Sequence, residues 1–482
     1  MFNNKAKISV VVLGIILVFC IVGAFYESDK YHEVVESEVG ITLSVPSDTL
    51  RVWYADESLS DYMASMALAF YEKTNIRVIP TLTSGVEYLE RIYTASIAQS
   101  DYPDLYIATN DTLEKAYLAG IAIEIKDSES LVTTETYPSS ALYAVTYHDK
   151  VIGYPLSFET SVFVYNKTYM ADIARNVIKL EEYAKMLEED ASAEYVVEEP
   201  SDSVVLAKAN EIVPMTFSDI LGLANLYDAP EQVEAFFEWD ASDVFYNYFF
   251  IGNSMNIGGL SGDDITQIEI YNQEAITSLQ MYQRMQEFFS IDTTETTYTS
   301  VVEDFVQGKI VFMIGGTDIV SIMEEAQKSG EFAYEYEVTV LPDINDKIPA
   351  QSMSVTNAVV VNGLSEKQDL ANELARFIAI EHSEKLYGLS GKIPAKKNIA
   401  YENPQINNTL SEYERSVPIT KMIELSNFWI QLEACMMRVW ALENVEEQLR
   451  LLSEQIMTQV TGEPYVQEKW YSDEPVANLE IE

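Results

Sequence analysis

Between Leu50 and Ala108 short apolar stretches alternate with amphipathic ones, and this alternation restricts the fold more than any other feature of the chain. Leu50 to Tyr54 reads as a short strand. Ser60 to Thr74 then carries Met63, Met66, Ala67, Phe70 and Tyr71 at helical spacing, and Ile76 to Ile79 is apolar again. A helix over about Val86 to Ala98, with Leu89, Ile92 and Tyr93 on one face, leads through a turn at Asp101 to Pro103 into a third strand, Leu105 to Ala108. Strands and helices at this spacing imply an α/β fold whose mostly parallel sheet is covered on both faces. Ligands of such sheets collect beyond the carboxyl ends of the strands. Asp56 and Glu57 follow the first strand and Asn110 and Asp111 the third, which makes them the first candidate contacts.

Gly153 to Met170 comes next, with a Gly-Tyr-Pro turn signal, one carboxylate at Glu159 and an apolar strand from Val162 to Tyr165. Glu159 is either a surface residue at a strand start or a ligand acceptor where the chain crosses between two lobes. Farther on come an acidic helical run at Leu180 to Glu189, a Glu-rich break at Glu198 to Ser203 and a helix over Val204 to Ile212. Aromatic-rich segments follow at Phe236 to Trp239 and Phe245 to Phe250. A second β-α region covers Val301 to Ala326, with a strand at Ile310 to Ile314 and Gly315-Gly316 turning into a helix. Ser354 to Val361 is a strand, Ser365 a helix cap and Glu366 to Ile380 a helix. The last helical zone, about Pro418 to Val460, carries Phe428, Trp429 and Trp440.

A chain of 482 residues exceeds one ordinary core and implies two or three domains. Its 30 Lys and Arg against 77 Asp and Glu leave a net charge of -47, which repels phosphate backbones and anionic headgroups, so nucleic acid is excluded as a partner class. Two cysteines, Cys20 inside an apolar run and Cys435, predict no intramolecular disulfide. His32, His148 and His382 lack ligand spacing, so no metal site or other cofactor is expected. Lys5 and Lys7 precede an uncharged apolar run from Ile8 to Phe25, which reads as a signal sequence or an export anchor with its positive end inside. Lipidation of Cys20 is the alternative tether, although Phe19 stands where a small residue is usual, and Val22-Gly23-Ala24 offers an ordinary cleavage site. Residues 26–47 form an acidic stalk. The expected location is extracytoplasmic, at the outer face of the cell membrane.

Several segments together, Leu50-Arg-Val-Trp53, Pro103-Asp-Leu-Tyr106 with Leu118-Ala-Gly120, Gly153 to Lys167, Phe305-Val-Gln-Gly308 with Met313-Ile-Gly-Gly316, Ala358 to Ile380, and Ser426-Asn-Phe-Trp429, carry a resemblance. Their order and spacing resemble the extracellular solute-binding proteins of ATP-driven sugar importers, the maltose-binding type. The resemblance implies a two-lobed periplasmic-binding-protein-like fold of type II, with discontinuous lobes joined by hinge crossings and closing over a ligand. One lobe would span 48–157 plus 354–390 and the other 160–348 plus 393–482, with 175–212 as a helical insertion. Glu159 would then lie at the first crossing, and Pro349 to Met353 and Gly391 to Pro394 would be the others.

The resemblance further implies no catalytic residues and a neutral solute, an oligosaccharide, delivered to the permease subunits of an ABC transporter. Asp56 and Glu57 match a polar pair that is Asp-Lys in a sugar-binding relative, so the Lys is missing here. Asp111 matches a sugar-hydroxyl acceptor, though the aromatic three residues earlier is Ala108. Asp318 stands where a stacking Trp is common, Asp243 and Phe245 fall near a Glu and a Tyr of the second lobe, and Trp429 matches a stacking Trp, with a core role as its alternative. Carboxylates accept from sugar hydroxyls and an aromatic plane covers the ring face, which is the physical reason for such a set. The competing readings are an extracellular glycoside hydrolase using paired carboxylates and a surface sensing or docking protein acting through the inserted helices.

Overall fold

The computed structural model describes residues 49–189, 198–289 and 291–469. The anchor, the stalk and Cys20 lie outside the described residues. Among those described, no helix is long and apolar enough to cross a membrane.

Nine strands of the described residues join in one sheet. They are β1 (Thr49–Tyr54), β2 (Arg77–Leu82), β3 (Leu105–Thr109), β4 (Tyr154–Asn166), β5 (Ala235–Glu238), β6 (Ile310–Gly316), β7 (Tyr336–Thr339), β8 (Met353–Val361) and β9 (Val417–Pro418). Their order is β2-β1-β3-β8-β4-β6-β5, with β7 also on β4 and β9 on β8. β1 pairs parallel with β2 and β3, and the connecting helices are Ser60–Thr74 and Tyr88–Ala98. These three strands form the parallel unit that the periodicity predicts, with ends within a few residues of those expected. The sheet as a whole is mixed rather than mostly parallel, because β8 runs antiparallel to β3 and β4, and β4 antiparallel to β6 and β7.

The sheet changes partners along β4. Tyr154 to Thr160 pair antiparallel with β8, whereas Ser161 to Tyr165 pair with β6 and Phe163 to Asn166 with β7. One strand thus runs from the sheet of the first lobe into that of the second, and Glu159 sits beside the changeover. Every residue of β4 is buried except Glu159, which is half-buried. The sequence reading places a Gly-Tyr-Pro turn before a strand starting at Val162, and the structure corrects it, since the strand begins at Tyr154 and contains Pro155. Proline lacks the N–H that a ladder needs and survives inside a sheet at irregularities. Here the β4–β8 register shifts between Asn357 and Ala358, with Pro155 opposite Ala358.

Two large cores flank this strand. The first gathers Leu50, Val52, Tyr62, Met66, Phe70 and Val359 around β1, β3 and β8. The second is strongly aromatic. Phe217 stacks on Phe249 with ring centres 5.6 Å apart, Phe237 on Trp239 at 4.8 Å, and Trp440 meets Trp239 edge-on at 5.5 Å. Such pairs add directional preference to the area they bury. Cys435 is a free, buried thiol in this core.

The helix expected over Glu366 to Ile380 begins at Gln368 and widens to a π-turn at Phe377–Glu381, where the Tyr62 hydroxyl donates to Ile378 O at 2.6 Å. The N-cap position is Lys367 rather than Ser365, whose hydroxyl serves the turn before the helix, accepting from Lys367 N at 3.0 Å and donating to Asp104 Oδ1 at 2.6 Å. Residues 167–189 form one helix, longer than the run predicted, and Asp202–Glu211 packs on it through Ala174, Ile178, Val205 and Ala209.

Candidate functional site

Two cavities share Asp56 and Glu159 at the place where the sheet changes partners. The first, about 630 Å³, lies over the ends of β1 and β3, among Tyr88, Ile107, Thr109 and Asn357, with Glu87, Glu90 and Lys115 at its polar wall. The second, about 420 Å³, reaches into the other lobe. Phe245, Tyr246, Tyr298 and Asp318 line it together with Lys392.

Each polar group is held by its local backbone. β1 ends at Tyr54, and Asp56 caps the short turn Glu57–Leu59 by accepting from Ser58 N at 2.9 Å and Ser58 Oγ at 2.7 Å. The helix Leu386–Ser390 stops at Gly391, whose φ of 72° suits glycine and turns the chain back toward the cleft. Lys392 follows, and its Nζ lies 2.7 Å from Glu159 Oε1 and 3.0 Å from Asp56 Oδ2. This ammonium therefore joins the turn after β1 to β4 and to the segment that follows Gly391. Burial alone would raise the Asp56 carboxyl, but hydrogen bonds from Ser58 and Lys392 outweigh it and hold that group below the usual carboxylate range. Burial lowers Lys392, yet Glu159 and Asp56 outweigh burial and raise it.

On the opposite wall β6 ends in Gly315-Gly316, and a Cβ on Gly316 would stand 2.6 Å from Asp318 Oδ1. The Tyr298 hydroxyl accepts from Gly316 N at 3.2 Å and donates to Asp318 Oδ1 at 2.6 Å, so a side chain at 316 would have to move that carboxylate off the tyrosine. Burial, augmented by the charge of Glu159, pushes the Asp318 carboxyl up despite the tyrosine. Tyr246 stacks on Tyr298 at 4.8 Å and 19°, and Phe245 meets Tyr246 edge-on at 5.1 Å.

Of the residues singled out by the sequence, the structure brings Asp56, Glu159, Phe245 and Asp318 together around the second cavity. Glu57, Asn110, Asp111, Asp243 and Trp429 line neither cavity. Asn110 is buried and ties Ile419 O and Thr356 N into the frame at 2.8 Å each. Asp243 caps the turn Val244–Asn247, accepting from Phe245 N at 2.8 Å. Trp429 packs against Tyr248 and Phe428, with ring centres 5.4 Å and 4.9 Å away. Glu57 and Asp111 are exposed in short turns. Sequence reasoning missed Lys392, Tyr246 and Tyr298. Lys392, which pairs with Asp56, comes from the Gly391 to Pro394 segment far along the chain, and its only trace in the sequence was a lone cation there. Among the described residues no group of His, Cys, Asp and Glu could hold a metal ion.

Comparison with known proteins agrees with this geometry. The sequence profile of the bacterial extracellular solute-binding protein family matches residues 65–410. The maltodextrin-binding protein MdxE of Bacillus subtilis is 20% identical over 389 residues, covering 79% of this chain and 82% of that protein. Among solved structures, a cyclo/maltodextrin-binding protein complexed with maltotetraose superposes with a TM-score of 0.67 at 19% identity, over 86% of this chain and 97% of its own. An extracellular solute-binding protein from Staphylococcus aureus in complex with maltose gives 0.68 at 18% identity, over 86% and 98%. With the two-lobed fold, the strand shared between lobes and the family match all in agreement, the chain belongs to the bacterial extracellular solute-binding proteins and works outside the cytoplasm.

Proposed function

We propose that this protein captures an oligosaccharide between its lobes and hands it to the permease of an ABC importer, without chemistry of its own. The lobes are 48–157 plus 354–390 and 160–348 plus 393–482, and the N-terminal apolar segment, as a helix or through a lipid, holds the protein at the outer face of the membrane. The observation that carries the reading is the cavity pair, whose shared carboxylates Asp56 and Glu159 lie where β4 passes from one lobe to the other. Carboxylates suit hydroxyl donors, and the Tyr246–Tyr298 stack offers an apolar face for a sugar ring. The names of the relatives, which bind maltodextrin and maltose, support the same class.

Small-angle scattering and intrinsic fluorescence with a panel of oligosaccharides test the proposal. Compaction and a saturable fluorescence change with at least one of them are expected, with no reducing ends released. Failure of every oligosaccharide to bind would remove the sugar assignment, and turnover would overturn the binding role.

A further inference from the structure

We propose that the solute carries a protonated amine beside its hydroxyls, as an amino-sugar oligosaccharide does. This rests on the oligosaccharide reading above and replaces the neutral solute expected from the sequence. The two cavities together present five carboxylates, Asp56, Glu87, Glu90, Glu159 and Asp318, against two lysines, Lys115 and Lys392. Hydroxyls can donate to carboxylates, but they bring no charge to offset them. When lobes close over a neutral ligand, its hydroxyls replace the water lost by the carboxylates but leave their net charge unbalanced, whereas an ammonium also offsets that charge.

The second cavity has the lining that an ammonium requires. Neither Glu159 Oε2 nor Asp318 Oδ2 accepts a hydrogen bond from another described residue, although Oε1 and Oδ1 of the same groups are engaged by Lys392 and Tyr298. Burial and the charge of Glu159 raise the Asp318 carboxyl despite Tyr298 and the charge of Lys392, so a cation placed there offsets the repulsion from Glu159. Phe245, Tyr246 and Tyr298 supply ring faces beside these oxygens, and cations are attracted to such faces when water is excluded. Lys392 shows the same chemistry in the protein itself, since its ammonium bridges Asp56 and Glu159. The larger first cavity then holds the rest of the solute, with Tyr88 and Ile107 as its apolar wall.

Calorimetry on the full-length protein with the glucosamine trimer, its fully N-acetylated counterpart and maltotriose tests this directly, because acetylation removes the charge and keeps the rings. The free-amine trimer is expected to bind about tenfold more tightly than the acetylated one, the scale of one charge-assisted contact. The ratio should collapse in Asp318→Asn and shrink with added salt. Equal or tighter binding of the acetylated trimer or of maltotriose overturns the amine inference and leaves oligosaccharide capture standing. Binding of none of the three overturns the amine inference, and the wider oligosaccharide panel above then decides the sugar reading separately.

Discussion

Lys392 determines how much uncompensated acid the cleft shows to a solute, because its ammonium is shared between Asp56 and Glu159. These side chains are roughly a quarter to two-fifths exposed, so the bridge contributes little to stability and its effect falls on binding. Glu159→Gln should therefore weaken binding of the best oligosaccharide by about tenfold while leaving the melting temperature nearly unchanged. Unaltered affinity would return Glu159 to a bystander at the rim. Glu412 is the opposite case, a fully buried carboxyl that accepts from Ser352 Oγ at 2.6 Å and Leu341 N at 3.0 Å. Burial pushes it up to about 7, against the hydrogen bonds and the nearby Arg415. Below the ordinary carboxyl value both folded and unfolded chains hold the proton. Between that value and about 7 only the folded chain does, so stability falls as pH rises through this window, and above it the cost of the buried charge is complete. Glu412→Gln can keep both contacts, accepting from Leu341 and donating to Ser352. It should flatten the decline in stability between about pH 5 and about pH 8, by about 2–3 kcal/mol, measured as denaturant midpoints across pH. An unchanged slope would assign the pH dependence to other groups.

At the scale of elements, what could be read from the sequence follows from how each element is buried. The Leu50–Ala108 region was legible because its helices are apolar on one face and its strands are short and bounded by turns. β4 was legible only in part, since a strand buried on both faces has no alternation and Pro155 imitates a turn. The cleft was half legible for a related reason. Asp56 and Glu159 could be placed from strand ends and crossings, whereas Lys392, Tyr246 and Tyr298 arrive from distant segments through tertiary packing that no local pattern encodes. The segment before β8 shows how closely such packing is fitted. Gln351 N donates to Phe249 O at 3.3 Å, and a Cβ on Gly252 would lie 2.0 Å from Gln351 O and 2.8 Å from the Tyr248 ring. Gly252→Ala must displace that segment and should cost about 1–3 kcal/mol. Gly222, inside the helix Phe217–Leu226, has nothing within 4 Å of a built Cβ, so Gly222→Ala should instead stabilise by up to about 1 kcal/mol. Chemical denaturation of both variants separates the cases, and a Gly252→Ala midpoint at or above that of the parent would show that the segment yields freely.

At the scale of the whole molecule, the 30 cationic side chains can neutralise at most 30 of the 77 anionic ones, which leaves the folded chain repelling itself. Its ion pairs are largely at the surface, as in Arg51–Asp101, where the aspartate side chain is 85% exposed, and pairs of that kind contribute little. Salt screens attraction and repulsion alike, but here the repulsions outnumber the attractions, and unfolding relieves them by spreading the charges apart. Stability should therefore rise with ionic strength, so that the melting temperature increases between about 0.01 M and about 0.5 M NaCl as the screening length contracts from roughly 30 Å to a few Å. A melting temperature that falls over this range would mean that the ion pairs outweigh the net charge. The same screening acts with opposite sign on capture, because salt that steadies the fold also weakens the pull of an acidic cleft on an ammonium. Calorimetry over the same salt series should show affinity for the free-amine trimer dropping while that for its acetylated counterpart holds, at concentrations where the protein is at its most stable.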